Sequence, residues 1–338
     1  MSNTRDGVLV WSRLTRRSRD IARTLGITLY HIGDRPPYLR AWRETARLFS
    51  SLGKDACIIL QLPPGPAVYR ATKIYPRPKL ICDTHTGMFH YRDLKDYMLN
   101  RPFIGSLKKC DHVLVHNPES RELLLQKLGG DTAVHIVYDP LPHKYNTVKP
   151  RDTPEEDFIV LPVAWEADEN IKVAVEAFIR LVSQNQGSNV SMVITGNYMK
   201  NKRLYKELTR LIEKHGLADR ILFTGYIGYG EYLWYIENSV LTIALTNWEY
   251  TILSVVWEAA LFDKPILYPS TRTLVNLLGD VDQGFLKYSV DDSISLAEAL
   301  KRTLNNREHV SDIGRAMGRK LRNLSQQSMK HLSSLCRQ

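Results

Sequence analysis

The chain has 338 residues, 43% of them hydrophobic and 24% charged, with 46 Lys and Arg against 36 Asp and Glu. That balance excludes a disordered chain, and the length suits two domains better than one core. No apolar run reaches the roughly 18–20 residues that span a bilayer, and the leading MSNTRDGVLVW lacks the apolar stretch of a signal peptide.

In chain order, GVLVW, ITLYHIG, ACIILQL, KLICD, HVLVHN and AVHIVYD read as strands in the first half. FIVLPVA, VSMVITG, RILFTG, VLTIAL, PILYPS and FLKYSV do so in the second. Near-continuous apolar runs separated by amphipathic stretches are the pattern of parallel strands buried on both faces. Two such sets predict an α/β fold of two doubly wound, Rossmann-like domains facing a cleft. The expected divisions are 1–148, 149–318 and a C-terminal helix, 319–338, packing back toward the first domain. The polar, proline-rich segment 140–157 supplies the boundary. Val310, Ile313, Met317, Leu321 and Leu324 recur at helical spacing near the end. Cys57, Cys82, Cys110 and Cys336 show no CxxC spacing. Cys57 and Cys82 lie in apolar strands and read as buried thiols, which points to a reducing cytoplasm.

Ligands of open parallel sheets bind beyond the carboxyl ends of the strands, so the residues there are the site candidates. After the first strand come Arg13, Arg16, Arg17 and Ser18, where the alternative is a solvated helix face, above all for Arg17. After the fourth come Asp83, His85, Thr86 and Gly87. His85 is suited to hydrogen bonding a reacting hydroxyl near neutral pH, Asp83 to orienting it, and Gly87 to a tight turn. The plain alternative is a loop closed by Asp and Thr side chains. Asn117 either reaches the same place or caps the helix PESRELLLQKL.

In the second half, Gly196 and Gly225 permit close approach of a ligand or of neighbouring backbone. Tyr198, Tyr226 and Ile227 offer a flat wall to a base, or else lids on the core. Lys200, Lys202 and Arg203 supply positive charge. A helix starting between Thr251 and Ser254 aims N–H groups outward, ready for a phosphate, with both hydroxyls able to cap it. Glu258 lies on the same helical face as Ser254 and suits the paired hydroxyls of a ribose; an acid favoured by the helix dipole is the alternative. Glu249 and Tyr250 stand at the preceding strand end. No HxH or His/Cys cluster predicts a metal, and the DVD at 280–282 reads as a polar loop. No cofactor is expected.

The excess positive charge sits entirely in residues 1–150, with 24 Lys and Arg against 13 Asp and Glu; the remainder has 22 against 23. Arg40, Arg43 and Arg47 share one helical face opposite Tyr38, Trp42, Thr45 and Phe49, and Arg16, Arg19 and Arg23 share another. Such faces fit an anionic membrane surface, here the inner face of the cell membrane, with the apolar stripe in the core. No recognition module supports nucleic acid.

RRSRDIARTLG, LQLPPGPA, ICDTHTGMF, DPLP, AWEADEN, TGNY, FTGYI with EYLWYI, and LTNWEYTILSVVWEAALFDKPIL follow one another along nearly the whole chain. The ordered set resembles the retaining GT-B glycosyltransferases with the glutamate–seven residues–glutamate motif. The resemblance implies a UDP- or GDP-sugar donor bound by the second domain, an acceptor bound by the first, and no metal. Glu258 matches the motif's second glutamate, which holds the donor ribose. The first falls at Tyr250, with Glu249 one place earlier. AWEADEN lacks the Arg and Lys with which the family neutralises the donor diphosphate. Arg16, with Ser18 and the Thr251–Ser254 helix start, is the expected substitute. QLPPGPA and DTHTG are also similar to lipid-linked chitobiose mannosyltransferases, implying a lipid-linked or cell-envelope glycan acceptor. A non-catalytic partner subunit and a nucleotide-sugar 2-epimerase are the alternatives.

Overall fold

The computed structural model describes residues 6–143, 146–184 and 190–337. They form two compact units, Met1–Pro140 with Asn323–Gln338, and Leu141–Arg322. All twelve expected strands are present and every pairing between neighbours is parallel.

The first unit holds β1 (Gly7–Val10), β2 (Thr28–His31), β3 (Cys57–Leu62), β4 (Lys79–Thr84), β5 (His112–Val115) and β6 (Val134–Ile136), in the order β2-β1-β3-β4-β5-β6. Its helices are α1 (Arg16–Leu25), α2 (Leu39–Leu52), α3 (Gly65–Ala71), α4 (Leu94–Asn100) and α5 (Pro118–Leu128). Alternate strand residues point to opposite faces, and both sets are apolar. Leu9, Ile58, Leu60, Leu80 and Val113 join one core with Phe49, Val68 and Leu124. Val8, Val10, Ile59, Ile81 and Leu114 join the other with Ile21, Met329, Leu332 and Leu335. The α2 pattern holds: Ala41, Thr45 and Phe49 are buried while Arg40, Arg43 and Arg47 are exposed.

The second unit holds β7 (Asp157–Pro162), β8 (Val190–Thr195), β9 (Ile221–Gly225), β10 (Leu241–Ile243), β11 (Ile266–Pro269) and β12 (Lys287–Tyr288), in the order β12-β11-β10-β7-β8-β9. Its helices are α6 (Ile171–Ser183), α7 (Lys202–Lys214), α8 (Tyr229–Asn238), α9 (Ser254–Leu261), α10 (Arg272–Asp282) and α11 (Ser293–Asn305). The last helix, α12 (Arg307–Arg337), begins in this unit and ends in the first. The expected stripe of Val310, Ile313, Met317 and Leu321 is buried, and Leu324 is half-buried. No helix among the described residues is long and apolar enough to cross a membrane.

Two expectations are corrected. Cys82 is not a thiol but is joined by a disulfide to Cys110, whose Cα lies 6.4 Å away. The pairing of β4 with β5 brings them together, because Cys110 lies just before β5. The argument from thiols to a reducing compartment therefore loses its footing. The DVD at 280–282 ends α10 rather than forming a loop, and buried Asp282 accepts from the Tyr268 hydroxyl and the Gly284 and Leu286 N–H groups.

Leu332 is fully buried in the first unit's core. Leu332→Ala is expected to cost about 2–5 kcal/mol through lost burial and the cavity left behind. Urea titration with amide exchange of the β1–β6 sheet measures the loss, which should spare β7–β12.

Candidate functional site

In the second unit the chain reverses its direction of strand addition between β7 and β10, the switch point where such sheets open a crevice. The loop after β7 is tied from within. The Glu169 carboxylate accepts the Ala164 N–H at 2.9 and 2.8 Å and the Glu166 N–H at 3.1 Å. Burial pushes the Glu169 pKa up to about 7 against the pull of those donors. Asp168 joins this loop to the one after β10, accepting from the Thr246 hydroxyl at 3.2 Å, while its carbonyl takes the Asn247 N–H at 3.0 Å. Lys200 donates to the Ala164 carbonyl and pairs with Glu166 at 3.1 Å. Trp165, in the left-handed region at φ 61°, is buried edge-on to Tyr198 and Tyr205.

Gly196 ends β8 with φ 97°, and a Cβ there would lie 1.9 Å from the Val163 carbonyl oxygen. Only glycine fits. Tyr198 stacks on Tyr205, ring centroids 4.2 Å apart. Tyr226 is 86% exposed and so is no lid on the core. Lys202 is exposed at the start of α7.

α9 starts at Ser254, but neither expected cap is in place. Leu253 is the N-cap and has no side chain to offer the first-turn N–H groups; Thr251 precedes it, half-buried, and Ser254 is exposed. Glu258, 3% exposed, accepts from the Tyr232 hydroxyl at 2.6 Å and the Tyr229 hydroxyl at 3.1 Å. Glu249 has a different duty from sugar contact: its carboxylate accepts the Arg272 N–H at 2.6 Å, at the start of α10, where the helix dipole favours an anion. Tyr250 is half-buried beside it in sequence.

In the first unit a ladder of alternating charge runs past the end of β4. Arg17 is 2% exposed, so it is no solvated face. It forks onto Asp83 with contacts of 2.8, 2.9 and 3.2 Å and reaches Asp139 at 2.7 Å. Arg16 pairs with Asp20 at 3.0 Å and Asp139 at 3.1 Å, and donates to the Pro140 carbonyl. Its charge is met within the unit, so Arg16 is not held open for a diphosphate. Arg17 holds the Asp83 carboxyl well below the usual carboxylate range against the pull of burial. The Ser18 hydroxyl donates to Gln61, and Thr15, the N-cap of α1, does so at 3.1 Å.

His85 sits edge-on to His116, centroids 4.5 Å apart, and its Nε2 is buried without a hydrogen-bond partner, whereas that of His116 lies 3.6 Å from Asp83 Oδ1. Burial first, then His116, pushes the His85 pKa down to about 3. Asp83, His85 and His116 thus gather ligand-type atoms within 4.8 Å, a grouping that a search for HxH misses. Asp83 already takes the Nε and Nη2 N–H groups of Arg17, so a cation there would have to displace a guanidinium. Thr86 and Gly87 lie in a 3-10 turn, Thr86–Met88. Gly87 has no left-handed backbone, and a Cβ would meet only Pro63 at 3.7 Å, so glycine is not demanded there. Asn117 caps α5, accepting the Ser120 N–H at 2.7 Å.

A family model described as glycosyl transferases group 1 matches residues 146–319, just over half of the chain. The chain belongs to that family. No curated protein matches it. Among solved structures, a glycosyltransferase from Rickettsia africae ESF-5 is 15% identical, with 98% of each chain covered and a TM-score of 0.74. Anabaena HepE in complex with UDP and glucose is 15% identical over 97% of this chain and 99% of that one, with a TM-score of 0.73. An S. aureus TarM variant bound to Fondaparinux, alpha-GlcNAc-glycerol and UDP is 13% identical, with a TM-score of 0.64. The chain spans 59% of that TarM chain, and 88% of this one is covered. At these identities the likeness is one of fold, the GT-B architecture of group 1 glycosyl transferases.

Residue-by-residue reading missed Tyr229, Tyr232, Glu169, Asp139 and His116. Tyr229 and Tyr232 are three apart on one helical face, and His116 directly precedes Asn117 at a strand end. Both were findable signals.

Asp83→Asn removes a partner from a buried guanidinium and should destabilise the first unit by about 3–5 kcal/mol in urea titration. Burial and its neighbours His112 and His331 also push the His135 pKa down to about 4. Unfolded imidazoles titrate near 6.5, so between about pH 6.5 and 4 the unfolded chain binds protons that folded His85 and His135 refuse. Stability should fall as pH drops through that window, and Tm of His135→Gln should fall less steeply than that of the parent.

Proposed function

We propose that this group 1 glycosyl transferase moves a sugar from a UDP- or GDP-sugar to a hydroxyl of a lipid-linked or cell-envelope glycan at an anionic membrane surface, with retained configuration and without a metal. The observation that carries the reading is the start of α9. Beside the switch point, first-turn N–H groups lack a side-chain cap, and a buried carboxylate stands one turn further in. The first is a phosphate seat. The second, Glu258, holds one phenol on each oxygen, and a carboxylate at that depth suits the paired hydroxyls of a ribose. The UDP in the HepE and TarM structures supports a nucleotide donor.

On this reading Gly196 admits the donor's closest approach, Tyr198 borders it, and Tyr250, Thr251 and Ser254 line the phosphate end with Lys202 as the nearby cation. Glu249 acts indirectly, by fixing α10. Asp83, His85, Thr86, Gly87, Ser18 and Asn117 form the acceptor side. Neutral His85 accepts or donates a hydrogen bond to the acceptor through Nε2, oriented by Asp83 and His116. Bond cleavage places negative charge on the leaving diphosphate, where fixed dipoles stabilise it, and the diphosphate takes the proton of the incoming hydroxyl.

One observation favours a second reading, a non-catalytic partner subunit: the loop after β7 carries Glu166 and Glu169 where the resemblance implies cations. The two readings separate on incubation with labelled nucleotide-sugars and a membrane lipid extract. Transfer with a retained anomer, seen by NMR, supports the enzyme; nucleotide binding without turnover supports the subunit.

For the site itself, Glu258→Gln should weaken UDP binding about 10- to 100-fold in calorimetry. A UDP analogue lacking both ribose hydroxyls should bind parent and variant alike. If the variant binds UDP as the parent does, the ribose assignment is wrong.

A further inference from the structure

The short helix α4 turns its apolar side outward. Leu94, Tyr97 and Met98, spaced to share one helical face, are 73%, 47% and 65% exposed. The polar Asn100 is buried instead, accepting the Gly65 N–H at 2.8 Å and donating to the Asp96 carbonyl at 3.0 Å. The Asp93 side chain caps the helix by accepting the Asp96 N–H. The outward stripe is therefore held by a cap and a buried amide.

Cations surround it. Arg92, Lys95 and Arg101 are exposed at and beside α4. Tyr97 packs edge-on to Tyr91, and Lys127 lies over the Tyr91 ring. Asp93 and Asp96 are the acids within this stretch, and Asp93 is engaged as the cap. The basic row on α2 has no such stripe, because its aromatic side is turned into the core.

We propose that Leu94, Tyr97 and Met98, ringed by Arg92, Lys95 and Arg101, dock the first unit on an anionic lipid bilayer. The proposal rests on the reading of a membrane-held acceptor and locates the surface that meets the membrane. Three side chains are far short of the roughly 800 Å² per partner that a stable protein interface buries. They match shallow insertion at the headgroup boundary, where each nearby cation strengthens binding roughly fivefold. α4 follows the turn carrying Thr86 and Gly87, so a lipid-anchored acceptor would be presented on the side of the chain that holds His85.

The test is co-sedimentation with vesicles of phosphatidylcholine, alone or mixed with phosphatidylglycerol. The parent should bind the mixed vesicles and release them in high salt. Leu94→Ser, Tyr97→Ser and Met98→Ser combined should weaken that binding at least about tenfold, with Tm held because the stripe touches no core. Arg92→Gln, Lys95→Gln and Arg101→Gln combined should weaken it similarly and remove its salt sensitivity. Unchanged vesicle binding by the serine variant overturns the proposal, as does a parent that ignores mixed vesicles. A concentration-dependent dimer lost in the serine variant would overturn it too, assigning the stripe to a second copy. UDP and GDP binding without lipid are measured in parallel: failure to bind either sinks the transfer reading alone, and vesicle failure alone sinks the docking surface.

Discussion

Covering both faces of a parallel sheet leaves polar chemistry only the strand ends. Apart from Ser191 and Thr242, the strand interiors of each unit are apolar on both sides, and the charged groups gather where β4, β7, β8 and β10 give way to loops. A carboxylate placed there is still largely out of water, so it needs partners at once. In the first unit the partner is Arg17, brought by the first turn of α1. Three carboxylates and two guanidiniums then alternate from Asp83 to Asp20, His116 leans on Asp83 from the other side, and the buried Nε2 of His85 is left without a hydrogen bond.

The second unit meets the same constraint with acids rather than arginines. Glu169 gathers the backbone of the loop after β7, Asp168 fastens that loop to the next, and Glu249 settles the start of α10. Each is an acidic side chain spent on local architecture. Glu258 differs in its partners, because the hydroxyls of Tyr229 and Tyr232 meet it rather than backbone N–H groups. Position along a motif does not report which kind of donor a carboxylate meets after folding.

This explains which features could be read from the residues. Strand existence depends on local apolar runs, and the runs around Val8, Ile59, Val160 and Ile194 announce themselves. The outward row of Arg40, Arg43 and Arg47 is equally local. Arg17 looks like its exposed neighbour Arg19 until Asp83 and Asp139, 66 and 122 residues away, are brought beside it. The bond between Cys82 and Cys110 depends on which strands pair, and Leu253 as a cap depends on a backbone turn rather than a side-chain type. Long-range pairing and loop conformation lie beyond local pattern, and the polar interior of this protein is made almost entirely of them.

The final helix carries a consequence for how the molecule is made. Residues 141–322 complete the second unit by themselves, whereas the first must wait for Met329, Leu332 and Leu335. During synthesis the earlier-translated sheet therefore stays open on one side until α12 is made, although its strands are the first to leave the ribosome. An incomplete chain emerging from the ribosome would display the uncovered side of Val8, Val10 and Ile81 to chaperones until its last turns arrive.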